Sequence, residues 1–152
     1  MCNRKSTLFK LGCSVVGITY IVISASILFQ GVISFMEQCG LPESTLASPH
    51  YENAIFFHFF DMLVIGILIT IAGLVESLTF QRVFSAAMLV IQSIYLYLDV
   101  QTSDTPLGNA LYKGPNSVAP VAIGFVFTLL FLTLTISALR YRAAPGKKAE
   151  SN

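Results

Sequence analysis

In the stretch FFHFFDMLVIGILITIAGLVES, residues 56–77, three ionisable side chains interrupt a run otherwise apolar enough for lipid: His58, Asp61 and Glu76. A histidine and an aspartate three residues apart on a helix sit about one turn from each other. The imidazole can then donate a hydrogen bond to the carboxylate, or the pair can relay a proton or contact a ligand. Two ligands without a third do not make a metal site, so no metal is expected. A structural hydrogen bond is the expected role. Positions 58 and 76 are five turns of an ideal helix apart, which places them on one stripe with Asp61, Ile65, Ile69 and Ala72, with Gly66 and Gly73 at its edge. That stripe is expected to face protein, because ionisable groups within spans usually face a bundle interior. Glu76, at the end of the run, is expected to pair with Arg82 at the membrane surface. Farther on, Ser85, Gln92 and Asp99 recur every seven residues. A glutamine in mid-span is costly against lipid and useful as hydrogen-bonding glue between helices. The candidate intramembrane polar site is therefore His58, Asp61 and Gln92, and the candidate interfacial ion pair is Glu76 with Arg82.

The elements that must carry these groups follow from composition. Of the 152 residues, 55% are hydrophobic and 11% charged, with a mean hydropathy of +0.73. Soluble domains carry roughly 25% charged residues, so this is an integral membrane protein. Spanning a core of about 30 Å takes roughly 20 helical residues. Four stretches qualify, approximately 11–35, 54–75, 81–99 and 118–139, the third being the shortest. They leave no room for a soluble domain, which predicts one all-α membrane domain over 1–152, a four-helix bundle. The basic start MCNRKSTLFK precedes an apolar run far longer than the roughly 7–15 residues of a signal peptide's core, and reads as a retained anchor. Cys2 stands where myristoylation needs glycine, and KKAESN is not a prenylation box.

Charge sets the expected orientation. Arg4, Lys5, Lys10, Arg82, Arg140, Arg142, Lys147 and Lys148 fall on one side of the predicted spans and only Lys113 on the other. Orientation follows this bias, so both termini and the short second loop are expected in the cytosol. The loop 36–53, with Glu37, Glu43 and Glu52, then faces the lumen or exterior. Gly40, Pro42 and Pro49 mark it as a loop, with a short turn capped by Ser44 or Ser48. In the third loop Gly114 and Pro115 stop one element, and Ser117 is a candidate cap for the next. A second loop of a few residues predicts a tight antiparallel hairpin of the second and third spans. Cys13 and Cys39 belong to opposite membrane faces, so no intrachain disulfide is expected. The three cysteines read as free thiols, with palmitoylation of Cys2 the sharper alternative.

No H-E-x-x-H, CxxC, P-loop or G-x-S-x-G motif is present, which argues against an enzyme and against a cofactor. No basic aromatic surface suits nucleic acid, and no continuous polar helix suits a channel. The first span offers Gly17, Ser24, Ala25, Ser26 and Gly31, and the fourth Gly124, Thr128, Thr133, Thr135 and Ser137. Small and hydroxyl residues let helices approach closely, within this chain or with a partner.

GLPESTL in the first loop, AGLVESL closing the second span, Arg82 opening the third and SIYLYL closing it form an ordered set. Over roughly residues 20–98 it resembles the small fungal-type, multi-span family named for increased loss of mitochondrial DNA. The resemblance implies an endoplasmic-reticulum membrane protein without established enzyme activity, other endomembranes or the plasma membrane being the alternatives. The expected function is a non-enzymatic accessory or assembly subunit of a larger membrane complex, with lipid handling among the processes open to it. Its expected partners are the bilayer and another integral membrane protein. The competing expectation is a small transporter or lipid-binding protein in which His58 and Asp61 contact the ligand above a floor formed by Gln92.

Overall fold

The computed structural model describes residues 4–41, 43–111, 113 and 118–140, with side chains from Thr7 onward among them. The expected roles of Cys2, Gly114, Pro115, Ser117, Arg142, Lys147 and Lys148 lie outside the described residues. The regular elements are α1 (Arg4–Gln30), α2 (Val32–Gln38), α3 (Glu43–Leu46), α4 (Pro49–Ala72), α5 (Leu78–Thr102) and α6 (Ala119–Leu139). The described chain is thus all-helical, and Thr7–Gln30 of α1 together with α4, α5 and α6 are long and apolar enough to cross a membrane.

Local chemistry accounts for the ends. The first predicted span does not run unbroken to Phe35, because Gly31 adopts φ 91° and separates α1 from α2. Side-chain-bearing residues disfavour that conformation. Ser48 precedes α4 and Pro49 opens it, where the missing proline N–H costs the helix nothing. The helix therefore begins before the apolar run and carries His50, Glu52 and Asn53 beyond it. Ser44 lies inside α3 and is not a cap. Between α4 and α5, Gln81 Nε2 donates to the Val75 carbonyl at 2.9 Å, and Ser77 Oγ accepts from the Phe80 N–H at 3.4 Å. The first bond holds the turn against α5, and the second satisfies an N–H that the start of a helix leaves open.

Packing pairs the spans as α4 on α1 and α6 on α5, with α1 and α6 joining the pairs. The expected hairpin of the second and third spans is a tight turn without packing along its arms: α4 and α5 make little direct contact. The reason is visible in α1 and α4, where two glycines meet. A Cβ on Gly17 would lie 2.6 Å from the Gly66 carbonyl oxygen, and one on Gly66 would lie 2.8 Å from that of Gly17. Bare backbones at this crossing let the helices touch, as small residues do in membranes. All four spans then contribute to one core: Phe9, Cys13 and Val16 from α1, Ile69 from α4, Met88 from α5, and Phe127, Phe131 and Leu134 from α6. A second cluster, at the end of the bundle that holds the α1–α4 connection, joins Ile27, Val32 and Phe59. There Phe35 of α2 meets Phe59 of α4 edge to face at 5.6 Å.

Candidate functional site

Gln92 faces inward on α5 and is 1% exposed. Its amide meets the Tyr20 hydroxyl of α1 from both sides, Nε2 donating at 3.0 Å and Oε1 accepting at 3.2 Å. The Tyr20 ring stands edge-on to Phe127 of α6 at 5.5 Å, so three helices meet around one polar contact. Tyr20 is the residue that sequence reasoning missed. A phenolic hydroxyl in the middle of an apolar span was itself the signal, since a buried Tyr hydroxyl usually finds a partner. Ser85 and Gln81 share the buried side of α5, and Ser85 Oγ returns its bond to the Gln81 carbonyl. The Asp99 carboxylate, half-buried nearer the other end of α5, lies against Gly124 of α6. Thr128, Thr133 and Thr135 each donate to the carbonyl four residues before them and so satisfy themselves within α6. Ser24 Oγ, fully buried on α1, has no hydrogen-bond partner among the described residues.

His58 and Asp61 are placed elsewhere. Both are exposed on α4, whose buried residues are Phe59, Gly66, Ile69 and Ala72. The predicted stripe therefore splits: Ile69, Ala72, Gly66 and Gly73 face inward, whereas His58, Asp61 and Ile65 face outward. Glu76 is not on the helix at all, because α4 ends at Ala72. Five ideal turns assume a straight helix of 3.6 residues per turn. The covered side of α4 is set by Phe59, Gly66, Ile69 and Ala72, so the predicted line runs along the edge of that side and is covered only toward its later positions. Among the described residues no hydrogen bond joins His58 to Asp61. The imidazole instead stands edge-on to its neighbour Phe59 at 5.4 Å. Gln92 does not converge with them, so the pocket that a ligand-binding role needs is not formed by these three residues.

Glu76 and Arg82 do not form the expected ion pair either. Arg82 Nε donates to the Ala138 carbonyl near the end of α6 at 2.9 Å, and Glu76 is exposed in the turn. The guanidinium thus ties the start of α5 to the end of α6. Cys13 and Cys39 are free thiols and both buried, and burial pushes the Cys39 thiol above its ordinary pKa. Among the described residues no group of three or more His, Cys, Asp or Glu could hold a metal ion.

The fold defines a multi-pass α-helical membrane protein whose inward polar side chains mostly bond backbone carbonyls, Gln92 and Tyr20 bonding each other, and whose His58 and Asp61 are exposed on α4. No family model, curated protein or solved structure matches the chain.

Proposed function

We propose that this chain is a non-enzymatic accessory or assembly subunit of a larger endoplasmic-reticulum membrane complex, inserted with both termini in the cytosol. One observation carries the reading: His58 and Asp61 lie on the side of α4 turned away from its own bundle. Ala54 begins the predicted second span, which puts His58 about 6 Å and Asp61 about 10 Å inside it at 1.5 Å per residue. An aspartate in that position is costly against lipid, at about 2.5–3.5 kcal/mol for a helix centre on insertion scales. Ionisable groups within spans face a protein interior, and here that interior is not within the chain. A protein surface covering α4 removes the cost. The resemblance over residues 20–98 supports the endoplasmic reticulum as the location, and the one-sided distribution of Lys and Arg supports the orientation.

Purification in a mild detergent tests the reading. An unlike integral membrane protein is expected to co-elute at fixed stoichiometry. Elution without such a partner, under conditions that leave the bundle helical, overturns it.

A further inference from the structure

Along the outer side of α4, Phe57, Asp61, Val64, Leu68 and Ile71 alternate at spacings of four and three, and every one is exposed. This is the seam of a left-handed helix pair, apolar except for one position. His58 flanks that position, exposed beside it. The face therefore offers one hydrogen-bond acceptor and one donor within a single turn, bounded by apolar side chains on the same seam. Gln92 and Tyr20 complete each other inside the bundle, whereas His58 and Asp61 do not bond each other although they are neighbours on one helix. Each lacks what the other type supplies.

We infer that this face of α4 pairs with α4 of a second copy of the chain. Two copies in one bilayer share their orientation, so a two-fold axis along the membrane normal sets equal depths side by side. Any contact of one residue with another is then repeated in reverse. His58 of one copy donates to Asp61 of the other, and the same bond forms again across the axis. The offset between the two positions is three residues, about 4.5 Å of rise, within reach of the imidazole and carboxylate across crossed helices. A foreign helix would have to present an acceptor and a donor at matching depths in the same spacing. A second copy presents them by identity. Phe57, Val64, Leu68 and Ile71 close the seam above and below and keep lipid from the two bonds.

The inference rests on the assembly reading, but the two fail separately. The full chain is reconstituted in phosphatidylcholine vesicles at a low protein-to-lipid ratio, so that a second copy is the only protein at hand. It carries Leu68→Cys on the seam or, as control, Phe125→Cys on the exposed side of α6. Oxidation is expected to give a dimer of the chain from position 68 well above both the Phe125→Cys protein and the unsubstituted chain. His58→Asp or His58→Leu, which leaves the carboxylate with no donor facing it, is expected to reduce that product roughly tenfold, in line with the loss of two interhelical hydrogen bonds. Exchanging the two residues, His58→Asp with Asp61→His, is expected to restore it. All three variants alter exposed side chains, and unchanged circular dichroism confirms the fold in each. Position 68 reacting no more than position 125, or an exchange that does not rescue, overturns the second copy. Failure here with an unlike partner still bound in native membranes leaves the subunit reading standing. A dimer without any unlike partner does the reverse.

Discussion

Gln92 and Tyr20 are unequal partners, and the inequality is measurable. Tyr20→Phe removes a hydroxyl and strands an amide that is 1% exposed, a cost of about 1–3 kcal/mol. Gln92→Leu removes the group with the larger need and leaves one part-buried hydroxyl, so a loss below about 1 kcal/mol is expected. Unfolding midpoints in mixed micelles rank the two, and an equal or reversed order contradicts the bond as described. Asp61→Leu behaves differently again. As half of an intrachain pair it would cost the isolated chain about 1–3 kcal/mol. With its carboxylate on the outside, the isolated chain is expected to hold its stability within about 0.5 kcal/mol. Cys39 is 7% exposed with its thiol raised by burial, so thiolate is scarce at neutral pH. What burial contributes to stability through this thiol is present below the ordinary thiol range and lost as pH climbs through the raised value. Maleimide is expected to modify Cys39 slowly in the folded protein, faster with rising pH, and rapid labelling at neutral pH contradicts its burial. The inward side of Gln92 was legible in the sequence, because mid-span amides avoid lipid. The outward side of Asp61 was not, because the same rule sends a lone carboxylate inward and says nothing of which chain supplies the inside.

At the scale of elements, hydropathy locates four spans because lipid demands length and apolarity from each one separately. It cannot choose their neighbours. The short turn at 73–77 predicts that the second and third spans lie together, yet α4 packs on α1, since Gly17 and Gly66 remove the side chains that would hold those two backbones apart. Gly17→Leu is expected to cost about 1–3 kcal/mol or more by overpacking, as its Cβ would also run into Thr70. Gly12→Leu, whose Cβ would come nearest to the Leu134 side chain rather than to backbone, is expected to cost less. Thermal unfolding in detergent compares them, and equal losses would show that the α1–α4 crossing is not the tight one. Gly31 taught a second limit. Within an apolar run a glycine reads as a packing residue, and its φ of 91° is set by where the chain must turn into α2, which no local pattern in the sequence announces.

For the whole molecule, the four spans lie in the order α4, α1, α6, α5, which leaves α4 at one end with an outer side that its own chain does not cover. A bundle so arranged is open to a neighbour along that helix. Orientation can be read separately from exposed Glu43, in the connection between α1 and α4. Glu43→Cys is expected to react with an impermeant reagent from the luminal side, a better reporter than Cys39, and cytosolic labelling would invert the topology. The central claim, that protein and not lipid covers the outer side of α4, is tested most directly by replacing Phe57 with a photoactivatable phenylalanine and irradiating native membranes. Phe57 is 62% exposed beside Asp61, and Phe125, 54% exposed on α6, serves as the comparison. The expected result is a protein adduct of defined mass from position 57 and lipid adducts from position 125. Lipid adducts alone from position 57 would contradict the claim.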